Sequence, residues 1–407
     1  MKKQELLQSL KRNIAWFENS GIMIPADGSW GVAERIFCVG DPELRKRVQE
    51  SFGAFSEYGR YSVIEARRAD CNFEAALMYL LAAKVDNSGK CRQTAENILA
   101  FLYNRSGLLN RGAMGGDAPL EAWNWSHPAW IKNLWFDDNS WALTIPLLIG
   151  RLDKNLAEQF EMRRHAAGLA EVLSVAFNRA FHNDKAINPD CYDPEGVWKG
   201  RPFLPHWGGL VCMALSLAAA EGVLPLDKQA IILEYHHFLK EKIDTFNASE
   251  LAYTLMSSCV GATAFEDKIF HEVADLAAER IFRRMQPGGN IPAEHYEAPT
   301  GPNLVDTIYT VNWMLLALQN YMVLRPAAEN KERFEKVLQL VCSIQDDCDD
   351  VVFNGCWRGM YDLETKSWGG GDCYEGGSGS IYSGWTNAPI SIAICGALLN
   401  KNVFMEK

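Results

Sequence analysis

Residues 133–152 read NLWFDDNSWALTIPLLIGRL, and the layout of this stretch decides how the rest of the chain is read. From Asp138 onward the apolar residues keep helical spacing and leave almost no polar face, the mark of a helix surrounded by protein. The stretch ends in the short link Gly-Arg-Leu-Asp, and a more polar, amphipathic helical pattern follows at residues 154–181. A long segment precedes it, residues 104–136, crowded with tryptophan, glycine and acids. Two adjacent acids, Asp137 and Asp138, stand where loop meets helix, framed by Trp135, Phe136 and Trp141. One helix start needs one carboxylate to accept a free backbone N–H. Two raise the question of whether they cap or react.

The same unit recurs along the chain. Residues 73–85, 208–222 and 306–322 are also apolar on nearly every face, while residues 89–103, 227–242, 265–285 and 330–345 carry a single apolar stripe. Links from a buried helix to its polar partner are short (DNSG, GRLD, VLPL, LRPA). Links from the partner to the next buried helix are long, residues 104–136, 182–206, 286–305 and 346–386, with one brief exception near residues 245–248. If consecutive helices are antiparallel, every long loop lies at one end, before the N-termini of the inner helices. Inner helices are expected to begin near Asp70, Asp138, Trp207, Glu250, Asp306 and Asn387. With six outer partners, an N-terminal helix closing the ring beside the last inner one, they predict an all-α (α/α)6 toroid formed as one domain over residues 1–407. An α-solenoid would show self-similar repeats, and none is present beyond the alternation.

Composition agrees with a large buried core and narrows the partners. Of 407 residues 48% are hydrophobic and 22% charged, as in globular proteins. A net charge of −11 argues against nucleic acid and anionic membrane surfaces as partners. No run approaches the ~18 apolar residues of a membrane span. The N-terminal MKKQELLQSLKRNIAWF reads as an amphipathic helix rather than a secretion signal. Eleven cysteines, none in a C-x-x-C pair and several inside apolar helices, point to a reducing, cytoplasmic setting and to no zinc site. No cofactor motif is present: the glycine-rich GDCYEGGSGS segment lacks the lysine of a phosphate-binding loop.

The long loops concentrate residues suited to sugars. Trp123, Trp125, Trp130, Trp135, Trp198, Trp207, Trp357, Trp368 and Trp385 lie in them or at their ends. A pyranose offers an apolar C–H face to an indole and hydroxyls to carboxylates, amides and guanidinium groups. Trp125, Trp130 and Trp385 are therefore the candidate stacking residues, the others serving equally as plugs of the ring. Acids recur at the same end: Asp70, Asp138 and Asp306 each open an inner helix, and Glu294 and Glu297 flank His295 and Tyr296 in a loop where no helix end needs them. Arg35, Arg67, Arg68 and Arg358 lie in the first and last loop regions, neighbours in a closed ring, and could hold a sugar carboxylate as bidentate forks. The competing account ties each to a nearby loop acid.

This pattern resembles the six-hairpin glycosidase superfamily, which includes unsaturated glucuronyl hydrolases, rhamnosidases and endo-α-1,6-mannanases. The resemblance in architecture covers nearly the whole chain. Locally, WFDDNSWALTIPLL is similar to the Asp-Asp-x-x-Trp segment of the endo-mannanases, and implies Asp137 and Asp138 as nucleophile and acid/base. The other mannanase segments have no match here, so the mannan substrate does not carry over.

Glycoside hydrolysis needs two carboxyl groups across the scissile bond, ~5–5.5 Å apart for retention or ~6.5–9.5 Å for inversion. Asp137 with Asp138, or either of them with Glu294 or Glu297, supplies such a pair. The expected activity is thus glycoside hydrolysis on an oligosaccharide, including one containing a uronic acid. Two alternatives stay open: a sugar epimerase or polysaccharide lyase using His127, His206, His295 or Tyr296 as base, and a carbohydrate-binding protein without catalysis.

Overall fold

A computed structural model describes residues 2–38, 43, 46, 55–58, 61–111, 120–127, 133–183, 198–294, 301–369 and 379–406. The inner helices are α2 (Ala69–Asp86), α4 (Phe136–Leu152), α7 (Gly208–Ala220), α9 (Ala248–Ala264), α11 (Val311–Leu324) and α13 (Ala388–Leu399). Each packs against the next, and α13 packs against α2, so the ring is closed. The outer partners are α3 (Gly89–Asn104), α6 (Met162–Asn183) with the short α5 (Lys154–Gln159) before it, α8 (Ala230–Lys242), α10 (Lys268–Arg284) and α12 (Ala328–Ser343). The sixth is α1 (Lys3–Asn19), which lies against α13 as the closing element. The architecture is the (α/α)6 toroid that the alternating links predict.

Burial explains the two helix classes. Every residue of α4 from Phe136 to Ile149 is buried, as is every residue of α2 from Ala69 to Ala82. The outer α3 and α10 bury one stripe each, and their starts carry side-chain caps from Ser88 and Asp267. The continuous pattern at residues 154–181 is interrupted: Glu161, with φ of 48°, separates α5 from α6. Among the described residues no helix is long and apolar enough to cross a membrane.

Short strands, which the helical periodicity does not announce, tie the loops together. A four-stranded antiparallel sheet runs β11 (Ser380–Tyr382), β1 (Arg35–Phe37), β3 (Tyr61–Ile64), β2 (Phe55–Tyr58). It joins the first loop region to the last, with Arg35 opposite Tyr382. β4 (Arg67–Arg68) pairs with β5 (Ser126–His127), β6 (Leu134–Trp135) with β7 (Trp198–Lys199), and β8 (Leu304–Asp306), β9 (Met360–Asp362) and β10 (Ser367–Trp368) form a third small sheet. These strands leave helix N-termini α2 and α4 side by side, with Arg68 and Trp135 at the two N-cap positions.

Candidate active site at the mouth of the ring

Neither Asp137 nor Asp138 is a helix cap. The N-cap of α4 is Trp135, which makes no side-chain capping bond, and both carboxylates are committed elsewhere. Asp138 reaches across to Arg68: Oδ2 accepts from Nη2 at 3.0 Å and Oδ1 from Nε at 3.3 Å. Asp137 Oδ2 lies 3.3 Å from Nε2 of His206, just before α7. Among the described residues Asp137 Oδ1 is buried and has no hydrogen-bond partner. The acids complement the positive end of α4, but the tertiary contacts give them their roles.

Arg68 is the hub. Its Nη2 also donates to Asp70 Oδ2 at 2.8 Å and its Nη1 to Glu34 Oε1 at 3.3 Å. Asp70 Oδ2 accepts in addition from the indole N–H of Trp385 at 2.7 Å. One turn along α2, Glu74 is buried and neither of its oxygens finds a partner among the described residues. It sits where a wide turn, Ser383–Asn387, passes closest to α2: a Cβ on Gly384 would fall 2.6 Å from both Cys71 Cα and Glu74 Oε2, so only glycine fits there.

One guanidinium thus faces the carboxyls of Glu34, Asp70, Glu74, Asp137 and Asp138 in a nearly dry space. Such a cluster cannot be fully ionised, and its members separate by environment. Burial pushes Asp138 well above the usual carboxylate range, and the charges of Asp70 and Asp137 add to this against the pull of Arg68. Burial acts on Asp137 too, but the hydrogen bond and charge of His206, with Arg68, outweigh it and hold Asp137 below its ordinary value. Glu74 is pushed well up by burial and then by Asp70. Burial opposes the Arg68 charge, yet Asp138 and Asp70 keep it well above its ordinary value. The adjacent aspartates are therefore unlike: their surroundings bias Asp137 toward its ionised form and Asp138 toward its protonated form.

Aromatic rings wall the cluster. The His206 imidazole lies flat against Trp207 (4.5 Å between centroids, 16°) and Tyr253 (5.1 Å, 24°), with Trp385 5.1 Å away. Arg68 Cζ is 5.6 Å from the ring centres of both Trp125 and Trp385. Tyr309 adds an edge against Trp385. Trp385 is 4% exposed and its ring edge packs on Trp313, so it is a wall of the site rather than an open platform; Trp125 is half-buried. Among the described residues no group of three or more His, Cys, Asp or Glu is arranged to hold a metal ion.

The structure brings together Asp70, Asp137, Asp138, His206, Trp125 and Trp385 of the residues expected from sequence. It separates others. Glu294 pairs with Arg284 of outer helix α10 at 2.9 Å and does not join the cluster. Arg358 is held by Asp346 at 2.5 Å and lies over the Phe353 ring, a structural pair. Arg35 is fully buried over Tyr382 (4.6 Å), and Arg67 is bound to Glu65 and to the Trp30 carbonyl. The four arginines expected to converge on a sugar carboxylate point to four different sets of partners. His127 lies on the far side of β4–β5, against Trp30. Asp306 does what a loop acid usually does: Oδ1 accepts from the Ile308 and Tyr309 amides and Oδ2 from the Thr310 hydroxyl. Trp123, Trp198, Trp207 and Trp357 are core residues. Trp130, His295, Tyr296 and Glu297 lie outside the described residues.

Sequence reasoning missed Glu74, Tyr253 and Tyr309. For Glu74 a signal existed: a carboxylate in FEAALMYLL, a helix apolar on every face, has nowhere to go but inward.

No protein-family model and no curated protein matches the chain. Solved structures do, across nearly its whole length. A sugar epimerase from a ruminal bacterium is 12% identical with a TM-score of 0.62, covering 98% of this chain and 99% of that one. An unsaturated glucuronyl hydrolase from Streptococcus agalactiae is 11% identical with a TM-score of 0.55, covering 100% and 92%. An α-1,6-mannanase from Salegentibacter is 10% identical with a TM-score of 0.55, covering 98% and 100%. The chain thus has the six-hairpin fold of these carbohydrate-active enzymes, as the resemblance in its sequence implies. Hydrolases and epimerases share that fold, so the chemistry must be argued from the site.

Proposed function

We propose that the protein is a glycoside hydrolase in which Asp137 and Asp138 act as an unlike carboxyl pair on a pyranoside held among Trp125, Tyr309, His206 and Trp385. The observation that carries this reading is the Asp137–His206 contact. His206 is pressed against two rings and spends its Nε2 edge on Asp137, while Asp137 keeps one oxygen without a partner among the described residues. In this reading the imidazole tunes a carboxylate rather than working on the sugar itself. Ionised Asp137 attacks the anomeric carbon or takes a proton from water; the proton held on Asp138 goes to the departing oxygen. Among the described residues the surplus of carboxyls around the Arg68 guanidinium suits a transition state that develops positive charge at the sugar ring.

The test is a panel of aryl glycosides and unsaturated uronyl oligosaccharides, with reducing-sugar release as the readout and the Asp137→Asn protein as the control. Release by the wild type and not by the variant is expected. The epimerases among the structural neighbours favour a second reading, in which His206 is the base. Interconversion of free sugar isomers with no bond cleavage would establish that reading and reject ours.

A further inference from the structure

The two arginines of β4 divide the mouth of the ring into an inner and an outer side. Strand residues alternate, so Arg68 enters the acid cluster while Arg67 turns the other way and donates to the Trp30 carbonyl at 3.0 Å. Trp30 is 44% exposed. Its ring is backed by Phe101 (5.5 Å) and edged by His127 (6.0 Å, 80°), the β5 residue paired with Arg67. Glu65 pairs with the Arg67 guanidinium.

A single exposed tryptophan needs no explanation by itself. This one is held by a rigid mount. Asn72, two residues along α2 from Asp70, grips the backbone of Val32 at both ends, accepting from its N–H at 2.8 Å and donating to its carbonyl at 3.1 Å. Gly31, at φ of 69°, packs where a Cβ would fall 2.5 Å from Asn72 Oδ1. Asp27 Oδ1 closes the turn on the Ser29 amide at 2.8 Å. The helix that places Asp70 in the acid cluster therefore also fixes the turn that presents Trp30. An exposed indole with an imidazole at its edge, its backbone carbonyl held by an arginine that is itself paired with a carboxylate, is a composition that a pyranose recognises.

We infer that Trp30, with His127, Arg67 and Glu65, forms an outer subsite for a second pyranose unit of the chain whose inner unit occupies the acid cluster. The inference rests on the proposed sugar site and makes its ligand an oligosaccharide. The occupant follows from continuity: the β4–β5 ribbon has the acid cluster on one side and Trp30 on the other, so a chain leaving the inner site crosses onto the indole.

The experiment compares Trp30→Ala with wild type on an aryl monoglycoside and on an oligosaccharide of the same sugar. For the oligosaccharide KM should rise about tenfold with kcat little changed, the usual scale for removing an anchoring tryptophan. For the monoglycoside neither constant should move, and the melting temperature should hold. Trp30→Leu, which keeps the contact with Phe101 but removes the flat face, should behave like Trp30→Ala. Equal effects on both substrates, or none on either, would overturn the subsite. Affinity electrophoresis in gels containing neutral polysaccharide separates this from the catalytic reading. Retardation lost in Trp30→Leu but kept in Asp137→Asn supports the subsite even if no glycoside is cleaved; retardation unchanged in Trp30→Leu rejects it even if glycosides are.

Discussion

Asp137 Oδ2 and His206 Nε2 stand 3.3 Å apart, joining the first turn of one inner helix to the residue pair that leads into the next. The contact biases Asp137 toward its ionised form in a space where burial favours the proton, while burial biases its neighbour Asp138 toward the protonated form. Two carboxyls adjacent in sequence thereby gain different chemistry from their surroundings.

Replacing either aspartate by asparagine should lower kcat by about 10²–10⁴-fold, the usual contribution of a positioned acid or base. The two variants should differ in stability. Asp137→Asn loses one contact; Asp138→Asn disturbs three hydrogen bonds from Arg68 and should melt earlier. Near-normal turnover in both, on a substrate the wild type cleaves, would reject the pair as catalytic.

The pH profile should report Asp137 and the contact that lowers it. Asp137 is held below its ordinary value, so its ionised form, and the stability its contacts add, are present at neutral pH and lost as pH falls through that lowered value. His206→Gln removes the imidazole that holds Asp137 low, raises the Asp137 value and should move the acid limb of kcat/KM to higher pH. An unmoved limb with a uniformly reduced rate would show that His206 only packs.

Glu74 should behave oppositely. Its folded-state value lies above that of the unfolded chain, so rising pH above about 4 progressively favours unfolding, and below that the penalty vanishes. Glu74→Gln keeps the shape and removes the titration. At pH 7 it should raise Tm by on the order of a few °C, and the gain should shrink toward pH 4. A pH-independent difference, measured by thermal scans across that range, would contradict the assignment.

Two arginines should part company. Arg68→Met removes a guanidinium that pairs with three buried acids, Glu34, Asp70 and Asp138, and should cost about 3–5 kcal/mol in urea unfolding, as for one partner of a buried ion pair. Arg358→Ala breaks only the pair with Asp346 and should leave kcat/KM on any substrate within about twofold, well under 1 kcal/mol. A steep, selective loss on uronic-acid glycosides in Arg358→Ala would restore the carboxylate-binding role.

What was legible in the sequence was whatever repeats with a period. Apolar spacing and the alternation of short and long links located all six inner helices and the face that carries the loops. It also placed Asp70, Asp137, Asp138, His206 and Trp385 at the helix starts on that face. Partner choice was not legible. Nothing in the sequence separates Arg68, which binds three acids of the site, from Arg67 beside it, because the distinction is the alternation of a two-residue strand too short to leave a pattern. Arg358 and Asp346 are twelve residues apart within one loop, and only the fold brings them together. Glu294 failed for the same reason: its partner Arg284 lies on an outer helix, outside the loop in which its role was sought.

The pairing of Arg35 with Tyr382 across β1 and β11, and the bond from Trp385 to Asp70 over 315 residues of sequence, set an order of events during synthesis. Five inner helices can be made and docked while the ring is still open, with Asp70 and Glu74 facing water through the gap. Until α13 emerges from the ribosome and closes the ring, Asp70 lacks its Trp385 partner and Glu74 lacks the Gly384 turn that covers it. A nascent chain arrested before Trp385 would thus carry nearly every residue of the site while the wall that Trp385 and the Gly384 turn build over Asp70 and Glu74 was still missing.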